Sequence, residues 1–256
     1  MRVADMLPAE RRKLILQRLR NSGTVTVRDL AAVMKVAQLT ARRDLRKLVE
    51  EGLAKPISGG FQGTDKVNPT PADIRTQAST RTETAIASAA ISYIPEGGCV
   101  YLDTGSLASA LAGLVSGRQD LTVVTNDFDL ARMLSEKNTG AVIHTGGQLS
   151  GLQSYSAGSL AASAVKTFSF DCAFITPDAW SASGVTCRSG GLTLLKQSVL
   201  ERSVKPVLLA QSSRYGKNAP FVVCGLKKFS AVICDQSLDA KAAAAVGKVN
   251  QELKLV

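Results

Sequence analysis

Short apolar segments alternate with helix-like segments along the chain from residue 81 onward. The apolar segments are four or five residues long, and we predict them as strands at 99–102, 121–125, 141–144, 172–175, 207–210 and 231–234. The segments around them have apolar residues at helical spacing, at 82–93, 106–114, 128–134, 159–165, 193–202 and 240–249. Strands that are apolar throughout need cover on both faces, which parallel sheets obtain from crossover helices. The pattern therefore predicts an α/β domain with a mostly parallel sheet.

Small polar residues follow five of these predicted strands, in the segments 103–106, 125–127, 145–147, 176–178 and 211–214. The carboxyl ends of parallel strands share one edge of the sheet, and ligands bind there. Hydroxyl groups, glycines and the free amides of a following helix form a cradle for anions. Each segment alone could equally be a tight turn with a helix cap. Five of them on one edge favour a polar cleft for a phosphate-bearing ligand.

Positive charge is concentrated in the first 60 residues, which hold 13 Lys and Arg against 6 Asp and Glu, a net charge of +7 out of the chain's +10. Such a concentration of positive charge indicates a polyanionic partner, either nucleic acid or an anionic membrane. The N-terminus has no apolar segment of the signal-peptide type, and no run approaches the roughly 18 apolar residues of a membrane span. We therefore expect a cytoplasmic protein without a membrane partner.

The order of elements in this basic region is that of a helix-turn-helix followed by a hairpin. The pattern predicts a helix from Pro8 to a stop at 21–23, an extended piece at 25–27, a helix at 28–34, a turn at 35–37, a helix at 39–48 and a β-hairpin wing at 53–61. The helix at 28–34 should turn Leu30, Ala31 and Val33 inward.

The helix at 39–48 combines an apolar stripe with four positive charges. Its stripe consists of Leu39, Ala41, Leu45 and Leu48, and its cations are Arg42, Arg43, Arg46 and Lys47. A basic helix face is often merely solvated. The turn before it and the wing after it instead favour insertion into the major groove of DNA, where arginine pairs with guanine or contacts phosphates.

The segments 23–27, 40–45 and 59–60 read Gly-Thr-Val-Thr-Val, Thr-Ala-Arg-Arg-Asp-Leu and Gly-Gly. Together they resemble the DNA-binding domain of the DeoR family of bacterial transcriptional regulators, a winged helix-turn-helix. Ala37 and Ser58 stand where the family usually has serine and histidine, and Ala41 stands where it has isoleucine. These departures bear on affinity and operator sequence rather than on the fold.

The resemblance implies that double-stranded operator DNA is the partner. Within it, Arg42 and Arg43 would contact bases or phosphates, whereas Asp44 would orient an arginine or cap a neighbour. The implied DNA-binding residues are Thr26, Gln38, Leu39, Thr40, Arg42, Arg43, Arg46, Lys47, Ser58 and Gly59.

The larger part of the chain is similar to the effector domain of the same family, which is itself similar to ribose-5-phosphate isomerase. The segments 101–106, 123–127 and 212–216 carry this resemblance, which implies a phosphorylated sugar-type effector. Gln211 replaces the family's usual acid, which would admit a more acidic ligand such as a phosphorylated sugar acid, and Arg214 replaces its usual lysine. The implied effector-binding residues are Asp103, Thr104, Gly105, Ser106, Thr125, Asn126, Asp127, Gly146, Gly147, Asp178, Lys196, Ser213, Arg214 and Lys217.

We predict three parts: a DNA-binding domain at 1–62, a linker rich in Pro, Thr and Ser at 63–80, and an effector domain at 81–256. The five cysteines form no C-x-x-C pair, and His144 is the only histidine, so we expect neither a metal nor a cofactor. A lone histidine at the end of a strand is more often a structural residue than a ligand contact, and we expect this of His144. Because one small DNA-binding domain gives little specificity, we expect a homodimer or homotetramer.

The leading hypothesis is a transcriptional regulator, in the repressor class, of a carbohydrate or sugar-acid catabolic operon. One alternative is an enzyme of the sugar-phosphate isomerase type fused to a DNA-binding head, with Asp103, Asp127, Asp178 and Lys196 as acid–base groups. No single segment supplies two close carboxylates or a well-placed histidine, so we predict that the chain is not an enzyme. A third hypothesis, an architectural DNA binder, leaves the phosphate-binding segments unexplained.

Overall fold

A computed structural model describes residues 8–22, 24–64, 81–149 and 154–256. The chain divides into two compact units, residues 1–74 and 75–256. Gly63 ends a strand of the first unit, but most of the predicted linker lies outside the described residues. The predicted domain boundaries therefore stay predictions.

The first unit is a three-helix domain with a small antiparallel sheet of order β1-β3-β2. Ile15, Leu19, Leu30, Leu45 and Leu48 are almost completely buried in its core. Its elements are α1 (Pro8–Ser22), β1 (Thr24–Val25), α2 (Val27–Met34), α3 (Gln38–Glu50), β2 (Ala54–Ile57) and β3 (Gly60–Gly63). Strands β2 and β3 form the predicted wing, so this unit is a winged helix-turn-helix.

Two details of the first unit differ from the prediction. The extended piece ends at Val25, because the side chain of Thr26 accepts a hydrogen bond from the backbone N–H of Asp29 at 3.0 Å and so begins α2 one residue early, at Val27. In α2 Met34 is buried whereas Val33 is 46% exposed, so the predicted inward position of Val33 is wrong. Lys35, with a left-handed φ of 49°, ends this helix at the predicted turn.

The second unit is built on a seven-stranded parallel sheet of order β15-β14-β12-β9-β4-β5-β6. Its elements are α4 (Arg81–Ala90), β4 (Gly98–Leu102), α5 (Ser106–Val115), β5 (Leu121–Thr125), α6 (Phe128–Glu136), β6 (Ala141–His144), β7 (Gln148–Leu149), β8 (Ser156–Ala157), α7 (Gly158–Val165), β9 (Phe170–Ile175), β10 (Ala179–Ser181), β11 (Gly184–Cys187), α8 (Gly190–Glu201), β12 (Ser203–Ala210), β13 (Phe221–Cys224), β14 (Ala231–Cys234), α9 (Ala240–Gly247) and β15 (Leu253–Leu255). The predicted fold class, α/β with a parallel sheet beside a winged helix-turn-helix, is confirmed.

Alternate residues of each central strand point into two separate cores. Tyr101 packs with α7, α8 and α9 on one face, whereas Val100 and Leu102 pack with α4, α5 and α6 on the other. This alternation explains why the strands are apolar throughout, since neither face meets water. It also places the carboxyl ends of β4, β9 and β12 side by side in the middle of the sheet.

Some short strands were not predicted from the sequence. Strands β10, β11 and β13 form a second, antiparallel sheet, and β7 pairs with β8. Strand β15 adds an edge to the main sheet beside β14. Within the described residues, no helix has both the length and the apolar character to cross a bilayer.

Candidate functional site

Helix α3 has one buried face and one positively charged face. Ala41, Asp44, Leu45 and Leu48 are buried, at the three- and four-residue spacing of a helix stripe. Leu39 is 79% exposed, so its predicted place in the apolar stripe is wrong. At about 100° per residue, it lies some 200° around the helix from Ala41 and points outward, where the predicted DNA contacts are.

Asp44 is the one acidic residue of the buried face. Its Oδ2 accepts a hydrogen bond from Nε of Arg11 at 2.8 Å, and both side chains are largely buried. The pair joins α1 to α3, which agrees with the predicted role of Asp44 in orienting an arginine. Because the carboxylate is neutralised beneath the helix, the outer face of α3 remains positive.

The other predicted DNA-binding residues have different surroundings. Gln38, Arg42, Arg43, Arg46 and Lys47 are exposed on α3, and Ser58 and Gly59 are exposed at the tip of the β2–β3 hairpin. Gly59 has a φ of 84°, which a tight hairpin turn requires and glycine readily adopts. The hydroxyl of Thr26 is occupied locally, because it also donates to the Asp29 carboxylate at 2.8 Å. DNA contact by all of these residues stays a prediction.

A cavity of about 280 Å³ lies at the carboxyl ends of β4, β9 and β12. Of the predicted effector residues, Thr104, Gly105, Asp178, Lys196 and Arg214 line it. Its wall also contains Tyr155, Thr176, Pro177, Arg188, Ser189 and Leu192, which were not among the implied effector-binding residues. Thr176 and Pro177 follow a predicted strand and could have been included, whereas Arg188 follows strand β11, which the sequence pattern did not reveal.

Lys196 is buried at this cavity and is held by two oxygen atoms. Its Nζ donates to Oδ2 of Asp103 at 2.5 Å and to the carbonyl oxygen of Thr176 at 2.6 Å. The same Oδ2 accepts from the backbone N–H of Thr176 at 2.9 Å and from its hydroxyl at 3.1 Å. Burial opposes the charged amine, but the adjacent Asp103 carboxylate holds the pKa of Lys196 above its ordinary value. Lys196 is therefore a fixed positive charge, and Asp103 supports it from beneath.

Asp178 and Arg214 also line the cavity. The Asp178 carboxylate accepts from the backbone N–H of Arg188 at 2.8 Å and from the Cys187 thiol at 3.2 Å. Burial works against its ionisation, but these hydrogen bonds and the nearby cations lower the pKa of Asp178. Arg214 donates from Nη1 to the carbonyl oxygen of Pro177 at 2.6 Å, which fixes its guanidinium beside the cavity.

The loop that carries Arg214 is anchored at two points. Ser212 donates from its backbone N–H and its hydroxyl to the carboxylate of Asp235, at 2.7 and 2.5 Å. The indole N–H of Trp180 donates to the carbonyl oxygen of Gln211 at 2.9 Å. Neither Asp235 nor Trp180 was predicted to take part in the site.

The remaining predicted effector residues do not line this cavity. Thr125, Asn126 and Asp127 are completely buried. Asn126 donates to the carbonyl oxygen of Ser156 at 2.7 Å and accepts from the Tyr101 hydroxyl at 2.7 Å, and Asp127 caps helix α6. These contacts attach the β8 segment over the end of β5. The residues at this strand end therefore hold a neighbouring segment in place and do not face the cavity. The others outside the lining are Asp103, which lies beneath Lys196, and Ser106, Gly146, Gly147, Ser213 and Lys217.

His144 agrees with the structural interpretation. Its Nδ1 accepts from the backbone N–H of Gly146 at 3.0 Å, and its ring stacks on Phe128 with centroids 4.0 Å apart. Burial lowers the pKa of His144, which favours the neutral ring. In the described part of the chain, no group of three or more His, Cys, Asp or Glu side chains could hold a metal ion.

Two family models match the chain: the DeoR-like helix-turn-helix domain at residues 11–67 and the DeoR C-terminal sensor domain at 79–236. An HTH-type transcriptional regulator of Haemophilus influenzae is 33% identical, and the HTH-type transcriptional regulator YgbI of Escherichia coli K12 is 32% identical, each over 98% of both chains. The lactose phosphotransferase system repressor of Lactococcus lactis is 26% identical over 79% of this chain and 81% of its own.

Ribose 5-phosphate isomerase A from Methanocaldococcus jannaschii is similar in structure, with a TM-score of 0.38 and 16% identity over 52% of this chain and 53% of its own. At that TM-score the likeness carries no argument about activity. The sequence relatives are named as transcriptional regulators and span nearly the whole chain, which is against the enzyme hypothesis. With one matched domain for DNA and one for an effector, the chain belongs to the DeoR family of helix-turn-helix transcriptional regulators.

Proposed function

We propose that this chain is a cytoplasmic repressor of a carbohydrate or sugar-acid catabolic operon, and that a phosphorylated sugar or sugar acid in the 280 Å³ cavity controls its binding to operator DNA. The observation that carries the effector chemistry is the charge of the cavity wall. Arg188 and Arg214 line it with one carboxylate, Asp178, while a third cation of the wall, Lys196, is paired with Asp103. A wall with that excess of cations stabilises an anion.

The N-terminal end of helix α5 adds to the attraction of the cavity for an anion. Gly105, with a φ of 100°, precedes the helix and supplies no side-chain cap, so the first amides of α5 are available to an anionic oxygen. Gly105 and Thr104 both line the cavity. We place the phosphate group of the effector at this end, and its sugar hydroxyls or carboxylate towards Arg188 and Arg214.

Repression is proposed from the relatives, since the Lactococcus lactis protein is named as a repressor. The effector would act by binding one of two arrangements of the paired DNA-binding domains more tightly than the other. Pairing follows from the size of the DNA-binding domain, since one small domain contacts few base pairs. We therefore propose a homodimer or homotetramer, which light scattering of the full-length chain would measure.

A thermal-shift screen of the full-length protein tests the effector proposal. The panel should pair pentose and hexose phosphates and phosphorylated sugar acids with their unphosphorylated forms. A ligand at 100 times its Kd should stabilise the protein by about 2.7 kcal/mol, or roughly 5–10 °C in Tm. A ligand found in this screen is then added to the protein bound to genomic DNA from upstream of the regulated operon, which shows whether the ligand releases the repressor.

Matched variants locate the effector. Arg214→Gln removes a charge from the cavity wall, whereas Lys217→Gln removes one from an exposed side chain three residues away, outside the lining. We expect the shift to be lost only with Arg214→Gln. Equal shifts in both variants would place the effector elsewhere, and turnover of a sugar phosphate would favour the enzyme.

A further inference from the structure

A second concave surface lies on the DNA-binding domain, between α1 and residues 39–47 of α3. It encloses about 500 Å³ and is lined by Pro8, Arg11, Arg12, Leu39, Thr40, Arg43, Asp44 and Lys47. Four of these residues are cations and one is a carboxylate. Because Asp44 is paired with Arg11 at 2.8 Å, its charge is not available to the others.

Arg12, Arg43 and Lys47 therefore face one cavity without a carboxylate partner among the described residues. Arg43 and Lys47 are four residues apart on α3, which places them on one side of the helix. Arg12 reaches the same cavity from α1 and is partly buried along its wall. Three like charges that share a concave surface repel one another unless an anion lies between them. The hydroxyl of Thr40, on the same wall, can donate a further hydrogen bond to such an anion.

We propose that this α1–α3 cavity binds a backbone phosphate of DNA. Arg12 then supplies a phosphate contact from α1, which α3, the recognition helix, does not provide alone. The proposal rests on DNA binding by this domain and names the residues of one backbone contact. The direction of α3 supports it. Leu39 and Arg46 lie near the middle of the exposed face, and Leu39 also borders the cavity. Thr40 and Lys47 are turned about 100° from them, on the side of α3 that shares the cavity with α1.

A recognition helix that presents its outward residues to base edges has its flanks beside the two strands of the duplex. The α1 flank therefore meets a sugar–phosphate strand. The Arg11–Asp44 pair makes this geometry rigid, because it ties α1 to α3 one residue before Arg12. A phosphate contact of this kind fixes the position of the protein on DNA and carries no sequence information.

The test compares Arg12→Gln with the parent chain, both full length. The probes are a duplex selected by the parent protein from a random-sequence pool and a random duplex of equal length. We expect Arg12→Gln to weaken binding to both duplexes by the same factor, about tenfold, as one charge-assisted hydrogen bond is lost. The slope of log K against log salt should fall by about 1.

Arg18→Gln is the matched control, because it removes the same charge from an exposed position on α1 outside the cavity, and it should change neither quantity. Melting curves of both variants should match that of the parent chain. Unchanged affinity and slope for Arg12→Gln would overturn the proposal, as would a loss confined to the selected duplex, which would indicate base contact. A parent chain that selects no sequence would refute the operator hypothesis, while the random duplex would still test the phosphate site.

Discussion

Replacing Lys196 by methionine removes the positive charge from a pair that has almost no contact with water. The side chains of Lys196 and Asp103 are 4% and 0% exposed, and Nζ lies 2.5 Å from Oδ2. In Lys196→Met the Asp103 carboxylate keeps two hydrogen bonds, both from Thr176, but loses its only ion pair among the described residues. Removal of one partner from a buried pair costs about 3–5 kcal/mol, because an uncompensated charge remains inside the protein. For a domain of this size, that is a loss of about 6–20 °C in Tm.

The chain contains its own probe for this experiment. Trp180 is the only tryptophan and is 1% exposed in the same core, so its fluorescence during urea denaturation follows the effector domain alone. The double variant Asp103→Asn with Lys196→Met removes both charges and should recover most of the lost stability. A loss below about 1 kcal/mol for Lys196→Met, or a double variant no more stable than the single one, would refute the account of Lys196 as a charge that Asp103 compensates.

Three further predictions follow from individual side chains. Gly147→Ala should destabilise the protein by about 1–3 kcal/mol in urea denaturation, because the φ of Gly147 is +119° and a Cβ would lie 2.8 Å from the Ala157 carbonyl oxygen. The control is Gly113→Ala, which should cause no loss of stability because its Cβ would meet open space on a helix. Leu39→Ala should change stability by less than about 0.5 kcal/mol, yet weaken binding to a selected operator in fluorescence anisotropy; a larger stability loss would return Leu39 to the core. The pKa of Lys196 is raised and that of Asp178 is lowered, so both side chains stay charged from pH 5.5 to 7.5. A phosphorylated effector, whose second pKa is about 6, should therefore bind more weakly at pH 5.5 in calorimetry. A ligand that carries only a carboxylate should bind equally well at both pH values.

The main sheet could be predicted well because its strands are short apolar segments, and the central ones are buried on both faces. Three predicted strands, 121–125, 141–144 and 231–234, have the observed bounds. The antiparallel sheet could not be predicted, because β11 pairs with β13 across a long separation, with Val185 opposite Cys224. Strands of three or four residues with such distant partners leave no periodic pattern in the sequence.

The candidate cavity was predicted at the correct edge of the sheet but with too many strand ends. Residues after β4, β9 and β12 line it, whereas those after β5 are covered by the segment at 154–157. The sequence cannot distinguish an asparagine that faces a ligand from one that holds a neighbouring loop. Asn126 is of the second kind, because its amide and carbonyl groups both bond within the protein.

The internal use of carboxylates explains how an acidic sheet edge can attract an anion. Asp103 holds Lys196, Asp127 caps a helix and Asp235 holds the Ser212 backbone, so each of these charges is bound to donors of the protein itself. Arg188 and Arg214, by contrast, line the cavity from segments outside the buried strands. An anion that enters therefore meets cations that are not fully compensated, whereas each of these carboxylates already accepts hydrogen bonds from the protein. Neutralising Asp103 or Asp235 would consequently weaken effector binding by displacing the cations, rather than strengthen it by removing negative charge.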